Sequence, residues 1–404
     1  MGLGKTFTGA EKAIQLEEDI LVICQKSKIQ DWIEHFEKYY HNKLNFNLCD
    51  LTKKKFWEQG GIKIAEQHKG KYWEFSVFII NYELAFRRPE LLKLTDFTLM
   101  LDESSMIQNE TAKRSKFILK MQPKNIILLS GTPTSGKYEK LWSQLKLLGW
   151  KISKDLFWKQ YVDVEYLDGE GFPIKVVRGY KNVERLKQKM REYGCRFLKT
   201  EDVFDLPMQN FNNIYVDTTK EYKKFKKSRI INIDDKELVG DTTLTKMLYE
   251  RMLCGQYNID KLEVVIDLLD STEDRIIIFY NFNEELLHLI SICEELNKPI
   301  SIVNGQTKDL NSYEKYDNSV TLIQYQAGAM GLNLQKANKI IYYTPTLNSE
   351  LFEQSKKRIH RIGQEKPCFY YKLICRNSIE EKIYKTLEMR KNYTEALFEM
   401  EEGE

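Results

Sequence analysis

Short apolar runs rich in β-branched residues recur along this chain in two sets, and they constrain its fold more than any other feature. The runs occupy residues 20–24, 77–81, 98–101, 126–129, 276–280, 302–304, 321–325, 340–343 and 369–374. Continuous apolar runs of this length are typical of strands buried on both faces of a parallel sheet. Helical patterns lie between most of them, at 30–40, 112–121, 284–296 and 349–361. The alternation predicts an α/β fold with two doubly wound parallel sheets.

The spacing of the two sets divides the 404 residues into an N-terminal lobe, a central region, a C-terminal lobe and a tail. The expected boundaries are 1–150, 151–258, 259–380 and 381–404. The central region is rich in Lys and Tyr and mostly helical in pattern, so we expect insertions or bridging helices there. Its lysine-rich stretch 221–229 fits either a solvated helix face or a nucleic-acid contact.

The charge balance and the cysteine pattern limit the classes of function. With 62 Lys+Arg against 59 Asp+Glu, the net charge of +3 excludes a strongly basic nucleic-acid arm. No apolar run is long enough to cross a bilayer, so we expect no membrane contact. The seven cysteines contain no C-x-x-C pair, which favours free thiols in a reducing cytoplasm over a disulfide frame or a zinc site.

The first residues carry part of a phosphate-binding pattern. Gly2, Leu3, Gly4, Lys5 and Thr6 match the second half of G-x-x-x-x-G-K-[ST], and a helical pattern follows. In such a loop, backbone N–H groups and a helix N-terminus hold phosphates, the lysine neutralises their oxygens and the hydroxyl binds Mg²⁺. The match is incomplete because the first pattern position would precede residue 1, so it needs support from other motifs.

Two later motifs of the first lobe provide such support. The run 98–101 ends in Asp102 and Glu103, where a second magnesium carboxylate and a residue that orients the attacking water would be expected. The alternative is a strand that simply ends in polar residues. The run 126–129 leads into Ser130, Gly131 and Thr132, whose short side chains could couple the acids to the other lobe, although this string is also a common turn.

The second lobe carries two further motifs. Arg358 and Arg361 are three residues apart, which would place both guanidinium groups on one face of a helix. Such a pair could stabilise charge on a phosphoryl group, and a solvated cationic helix is the alternative. Upstream, Ala327, Gly328 and Gly331 follow a strand and would allow a phosphate to approach the backbone closely.

In this order, the motifs resemble the SWI/SNF-type ATPases of helicase superfamily two. Residues 22–27 followed by Trp32 resemble motif Ia of that family, and 358–364, which reads Arg-Ile-His-Arg-Ile-Gly-Gln, is close to a family signature. The resemblance covers nearly the whole chain and places residue 1 inside motif I, so we expect a fragment or a misassigned start. Ser105, Phe197 and Asn338 depart from the residues common in the family, and at Ser105 the departure implies a different coupling between ATP and DNA contacts.

The resemblance implies two recombinase-A-like lobes that bind ATP and Mg²⁺, and a role for each motif. Asp102, Glu103, Arg358 and Arg361 would act in catalysis, and Ser130, Gly131 and Thr132 in coupling. The nucleotide would be held by Gly2, Leu3, Gly4, Lys5, Thr6, Gly331 and Gln354, and Mg²⁺ by Thr6 and Asp102. DNA would contact Lys26, Ser27, Tyr82, Gly305, Thr307, Ala327 and Gly328.

The implied function is a DNA-stimulated ATP hydrolase that moves along double-stranded DNA with weak sequence preference. The compact form resembles bacterial or phage members of the family, so a monomer in the cytoplasm of a bacterial or phage-infected cell is expected. Three alternatives stay open at this point: a strand-separating DNA helicase, a DNA-docking module with impaired ATP hydrolysis, and an RNA-directed enzyme. The sequence identifies no protein partner.

Overall fold

The computed structural model describes residues 4–134, 136–167, 174–198, 203–233, 236–328 and 332–398. The chain divides into two compact units, of which the first runs to Leu198 and the second from there to Lys391. In the described ranges, no helix is both long enough and apolar enough to cross a membrane.

The first unit is built around a five-stranded sheet. Its strands are β1 (Asp19–Cys24), β2 (Phe46–Asp50), β3 (Phe75–Asn81), β4 (Phe97–Asp102) and β5 (Asn125–Leu129). The order is β2-β3-β1-β4-β5 and every pairing is parallel, with the central strand β1 bonded to β3 and β4. Four strands coincide with predicted runs, whereas β2 was not predicted because its alternating polar residues hide a half-buried edge strand.

Helices cover both faces of this sheet. They are α1 (Lys5–Ile14), α2 (Ile29–Tyr40), α3 (Lys54–Glu58), α4 (Ile62–His68), α5 (Tyr82–Ala85), α6 (Lys113–Ile118) and α7 (Trp142–Leu147). Two further helices of the unit, α8 (Lys154–Tyr161) and α9 (Val183–Glu192), lie in a separate cluster. On one face, Trp32 and Phe36 of α2 pack with Val22 and Met100. On the other face, Leu21 and Leu99 belong to a separate cluster. Alternate strand residues therefore enter two cores, which confirms the doubly wound fold.

A small subdomain follows α7. An antiparallel ribbon of β6 (Val162–Leu167) and β7 (Ile174–Tyr180) packs with α8 and α9 around Phe157, Tyr161 and Leu186. The ribbon is joined to the preceding loop by Tyr180, whose ring stacks on Tyr138 and whose hydroxyl donates to Glu139 Oε2 at 2.9 Å.

The second unit contains a six-stranded parallel sheet. Its strands are β8 (Gln209–Val216), β11 (Ile276–Tyr280), β12 (Ile300–Val303), β13 (Val320–Gln324), β14 (Lys339–Tyr342) and β15 (Cys368–Cys375), and a separate antiparallel pair comprises β9 (Ile230–Ile233) and β10 (Lys236–Val239). The order in the large sheet is β12-β13-β11-β14-β15-β8. Five strands overlap predicted runs, and β8 was missed because its central residues are Asn and exposed aromatics.

The helices of the second unit again lie on both faces of its sheet. They are α10 (Lys220–Ser228), α11 (Thr243–Gly255), α12 (Ile259–Asp270), α13 (Asn283–Glu295), α14 (Asn311–Lys315), α15 (Tyr325–Gly328), α16 (Ser349–Lys356) and α17 (Ile379–Phe398). Two hydrophobic clusters, one around Ile277 and Tyr342 and one around Ile278 and Tyr343, occupy the two faces. The region 151–258 contains helices, as expected, and also strands β6–β10, one of which extends the large sheet.

Candidate functional site

The site in the first unit begins at the N-terminus of α1. Gly4 is the N-cap residue and adopts φ 68° in the left-handed region, which glycine reaches without a Cβ penalty. No side chain caps the first turn, and an added Cβ on Gly4 would meet nothing within 4 Å. The N–H groups of the turn and the adjacent Lys5 and half-buried Thr6 can therefore receive an anion. Gly2 and Leu3 lie outside the described residues.

The phosphate-loop lysine pairs with the second acid of strand β4. Lys5 Nζ donates to Glu103 Oε1 at 3.2 Å, and the two side chains are 26% and 19% exposed. Glu103 directly follows β4 and has φ 57° and ψ 63°, a conformation that is costly for a residue other than glycine. This turn directs the Glu103 carboxylate towards α1. Lys5 and Glu103, which are 98 positions apart in the chain, therefore meet at the carboxyl edge of the sheet.

Asp102 contacts a different helix from the one that Glu103 contacts. Its Oδ2 accepts a hydrogen bond of 3.0 Å from Trp32 Nε1 of α2. Burial raises the pKa of Asp102 above its ordinary value, and the nearby Glu103 acts in the same direction, whereas Trp32 and Lys5 oppose the shift. A divalent cation would favour the ionised form further, so this carboxylate fits a metal ligand. Sequence reasoning found Trp32 only by resemblance and did not assign it this role.

Tyr82 supports the acid pair and does not lie on a surface. Its side chain is fully buried, and its hydroxyl donates to the carbonyl oxygens of Asp102 and Glu103 at 3.1 and 3.3 Å. Burial raises the pKa of Tyr82 well above its usual range, so the phenol keeps its proton. The prediction that Tyr82 contacts DNA is therefore wrong for this structure: the residue begins α5 directly after β3, and the neighbouring core encloses its ring.

The Ser-Gly-Thr turn after β5 contacts the same acid. Ser130 Oγ lies 3.5 Å from Glu103 Oε2 and accepts a hydrogen bond from the N–H of Thr132 at 3.1 Å, with Gly131 between them. The carbonyl oxygen of Pro133 accepts from Gln108 and Gln144, which fixes the turn. Thr132 is buried, and its hydroxyl has no hydrogen-bond partner among the described residues. The geometry permits coupling through this turn, and that role stays a prediction.

The two arginines of the second unit do not share a helix face. Helix α16 ends at Lys356, and Arg358 and Arg361 follow in turns. The helix stops there because the chain turns back to the segment after the glycine turn, where Leu334 N donates to the Arg358 carbonyl at 3.2 Å. The predicted helical placement is therefore wrong.

Both guanidinium groups nevertheless reach one neighbouring segment. Arg358 is buried and donates to Leu332 O at 3.5 Å, and Arg361 donates to Asn333 Oδ1 at 2.5 Å. Burial lowers the pKa of Arg361 from its ordinary value, which still leaves a cation at neutral pH. The two arginines are thus brought together by a loop contact with Leu332 and Asn333 that the i, i+3 spacing did not reveal.

Other residues of the same segment are structural. Gln364 donates from its amide to the carbonyl oxygens of Gln335 and Ala337 at 3.1 and 2.8 Å, and His360 Nε2 lies 3.0 Å from Pro207 O. Gln354, predicted to contact the nucleotide, is buried and donates to Glu350 Oε1 at 3.3 Å. Gly331 lies outside the described residues.

The residues predicted to track DNA fall into two groups. Lys26 and Ser27 are exposed just after β1, and Gly305 and Thr307 are exposed just after β12. In the second loop, Asn304 Oδ1 accepts from the N–H groups of Gln306 and Thr307. Ala327 is 2% exposed within α15, so its side chain is not available to DNA, and the approach of a phosphate to the backbone there stays a prediction. Gly328 ends the same helix.

Two family models match the chain, one after the other. The family model described as SNF2-related domain matches residues 1–259, and that of the helicase conserved C-terminal domain matches 260–363. The ISWI chromatin-remodeling complex ATPase ISW1 of Saccharomyces cerevisiae is 25% identical over 95% of this chain and 37% of its own length. The putative ATP-dependent helicase/translocase YwqA of Bacillus subtilis is 24% identical over 99% and 46%.

Among solved structures, the Sulfolobus solfataricus SWI2/SNF2 ATPase core in complex with dsDNA matches with a TM-score of 0.41 and 22% identity. The match covers 98% of this chain and 86% of that one. The chain spans less than half of the length of the ISW1 and YwqA proteins that it resembles.

Proposed function

Because the chain belongs to the SNF2-related family of helicase-like ATPases, we propose that it hydrolyses ATP and uses the energy to move along double-stranded DNA. The observation that carries the proposal is the contact of Lys5 with Glu103 at the carboxyl edge of the first sheet. This contact joins Lys5, the cation of the phosphate loop, to Glu103, the acid that we propose orients the attacking water.

The two partners of this contact would separate when a nucleotide binds. The polyphosphate of ATP carries more negative charge than one carboxylate, so it would attract the Lys5 ammonium group away from Glu103. Glu103 would then accept a hydrogen bond from the attacking water and orient it, with the Ser130 hydroxyl 3.5 Å from its second oxygen. Tyr82 keeps the backbone of the acid pair in place throughout, through its two hydrogen bonds.

The donor set also fits the metal ion that accompanies ATP. Hard oxygen ligands suit Mg²⁺, and the Thr6 hydroxyl and the Asp102 carboxylate are such ligands. When bound, Mg²⁺ would neutralise charge on the phosphate oxygens. The role of this chain is to keep Asp102 ionised and oriented, which the indole N–H of Trp32 favours.

The second unit would contribute positive charge. Asn333 holds the Arg361 guanidinium group, and Leu332 O accepts from Arg358. Arginine side chains can stabilise the charge that develops on a transferred phosphoryl group. We assign this role to Arg358 and Arg361 as part of the proposal.

The exposed loops after β1 and β12 would contact the DNA backbone. Lys26, Ser27, Gly305 and Thr307 are exposed and offer one cation and two hydroxyl groups, which suit phosphate oxygens and carry little sequence information. The name of the Bacillus subtilis relative includes translocase, which supports movement along DNA. We propose that the protein acts as a monomer with weak sequence preference.

The test measures ATP turnover with duplex DNA, single-stranded DNA and RNA, and measures displacement of a third strand from a DNA triplex. Stimulation by duplex and ATP-dependent displacement of the third strand are the expected results. Release of one strand of the duplex itself would identify a strand-separating helicase, and preferential stimulation by RNA would contradict the proposal. Absence of turnover by the wild-type chain would indicate a docking module.

A further inference from the structure

The strongest unassigned feature of the second unit is the charge on the exposed face of α10. Residues 220–229 contain six cations and one acid, and all six cationic side chains are exposed. The cations are Lys220, Lys223, Lys224, Lys226, Lys227 and Arg229. Four of them follow the spacing i, i+3, i+4, i+7, so they form a stripe about 10 Å long on one side of the helix. We call these four residues, 220, 223, 224 and 227, the α10 stripe.

Among the described residues, some lysines of the same unit have acidic partners, unlike the four lysines of the α10 stripe. Lys336 pairs with Glu314 at 2.5 Å, and Lys366 pairs with Asp274 at 3.1 Å. Within the part of the chain that the structure describes, no carboxylate forms an ion pair with a residue of the stripe. Neighbouring like charges destabilise a helix, so the stripe is unfavourable for folding alone and suits an anionic partner.

Buried contacts hold α10 despite this repulsion. Tyr222 and Phe225 belong to the hydrophobic core, and the Tyr222 hydroxyl accepts a hydrogen bond from Ile379 N at 2.8 Å. The N-cap Thr219 accepts from Tyr222 N at 3.1 Å. The helix is thus fixed by its inner face, and the outer face can carry lysines without a structural role of their own.

The topology places the stripe on the same edge of the sheet as the proposed DNA loop. All strands of the six-stranded sheet are parallel, so their carboxyl ends share one edge. α10 follows β8 at one end of that edge, and the loop with Gly305 and Thr307 follows β12 at the other end. Five strand spacings of about 4.8 Å separate the two, or roughly 24 Å. At 3.4 Å per base pair this corresponds to about 7 base pairs of duplex.

We infer that the α10 stripe is a second contact for the phosphate backbone of duplex DNA, beyond the loop that contains Gly305 and Thr307. The stripe spans about three phosphates of one strand, which matches its length and its charge. The inference rests on the proposed function, because it assumes that duplex DNA lies along this edge. It predicts that the α10 stripe adds affinity and salt dependence and does not take part in ATP hydrolysis.

The test compares two charge-matched double variants of the full chain. K223Q/K227Q removes two charges from the stripe, and K336Q/K366Q removes two lysines that have acidic partners elsewhere in the unit. Glutamine keeps the helix propensity close to that of lysine. Fluorescence anisotropy with a labelled duplex of about 30 base pairs, roughly four times the span estimated above, gives the affinity at several salt concentrations.

In K223Q/K227Q, the slope of log affinity against log salt should become shallower by about 2, and the loss of affinity between 50 and 200 mM salt should shrink roughly tenfold. K336Q/K366Q should retain the wild-type slope, and ATP turnover at saturating duplex should be unchanged in both variants. Equal slopes for the two variants would overturn the inference.

Two further results would also overturn it. If K223Q/K227Q keeps the wild-type slope on duplex but loses affinity for polyglutamate, the partner of the stripe is an acidic protein. If the wild-type chain binds no duplex at all, the proposed function fails as well.

A shallower slope in K223Q/K227Q together with absent translocation would retain the second contact and reject the motor function.

Discussion

Two lysine–glutamate pairs that join distant parts of the chain, one in each unit, differ in their exposure and in the number of hydrogen bonds they form. Lys5 and Glu103 share one contact of 3.2 Å and remain about one-fifth to one-quarter exposed. Lys261 and Glu380 are at most 1% exposed, and Lys261 Nζ donates to both carboxylate oxygens at 2.7 and 2.9 Å. Tyr343 O accepts a third hydrogen bond from Lys261, at 2.9 Å.

The difference shows which pair can open. A partly solvated pair with one contact contributes little to stability, so an incoming anion can replace the carboxylate. A buried pair is costly to break because the remaining charge has no water to solvate it. Burial alone would lower the pKa of Lys261, but Glu380 and the nearby thiols raise it by more, so the ammonium stays charged. The first pair therefore suits catalysis, and the second joins α12 to the first turn of α17.

The positions of the tryptophans allow the two pairs to be probed separately. All six tryptophans lie between residues 32 and 158, in the first unit. Tryptophan fluorescence consequently reports on unfolding of the unit that contains Lys5 and Glu103. Hydrogen exchange at β14 and β15 reports on the unit that contains Lys261 and Glu380.

The largest effect is expected from Glu103→Gln, which keeps the shape of the side chain but removes the charge that orients water. ATP turnover should fall on the order of 10³-fold, while the midpoint of urea unfolding followed by tryptophan fluorescence changes little. Glu110→Gln is the matched control, because Glu110 pairs with Lys154 at the surface. Turnover similar to wild type in Glu103→Gln would reject the assigned site.

Breaking the buried pair of Lys261 and Glu380 should lower the stability of the second unit and leave the tryptophan transition of the first unit unchanged. Lys261→Met leaves Glu380 without its partner and should destabilise the second unit by roughly 3–5 kcal/mol. Exchange at β14 and β15 should accelerate, whereas the tryptophan transition should not move. The double variant Lys261→Met/Glu380→Leu removes both charges and should recover much of the loss. Equal stability of the single variant and wild type would mean that the pair contributes nothing.

Glu285 extends the comparison of the two pairs, because it is a buried acid of the second unit that forms no ion pair among the described residues. Its Oε2 accepts from the N–H groups of Asn281 and Phe282, and its Oε1 has no hydrogen-bond partner among the described residues. Burial raises the pKa of Glu285 from 4.5 to about 7, although the two N–H groups act in the opposite direction.

The folded state therefore binds the Glu285 proton more tightly than the unfolded state. The resulting stabilisation is fully present below pH 4.5 and disappears as the pH rises through about 7. The shift corresponds to about 3 kcal/mol. Glu285→Gln should remove this dependence, which urea unfolding followed by hydrogen exchange at several pH values would detect. Parallel pH profiles for the variant and wild type would contradict the assignment.

The smallest effect is expected from Trp32→Phe, which removes the hydrogen bond to Asp102 and keeps an aromatic ring in the core. The loss of one hydrogen bond to a charged group corresponds to about 1.5–3 kcal/mol. It should appear as a higher Mg²⁺ concentration for half-maximal ATP turnover. Trp57→Phe is the control, since Trp57 donates to Leu51 O away from the acids. An unchanged Mg²⁺ requirement in Trp32→Phe would show that the indole does not orient Asp102.

The motifs with short, local geometry were predictable from the sequence. Most strands of the two parallel sheets can be recognised in the sequence as apolar runs, because a strand buried on both faces requires apolar side chains at nearly every position. The ends of β4 and β5 then place Asp102, Glu103 and Ser130 at one edge. Edge strands β2 and β8 were missed because one side of each is partly solvated, so their sequences include polar residues.

The sequence by itself determined the fold class, the order of the motifs and the lysine and acids of the candidate site, since these depend on periodicity and on chain order. Only the tertiary structure decided that Tyr82 lies beneath the acid pair, that Trp32 hydrogen-bonds Asp102 and that α16 ends before Arg358. It also decided that Glu380 forms an ion pair with Lys261. These outcomes depend on contacts between residues far apart in the chain, and burial, which sets their energies, is a property of the packed molecule.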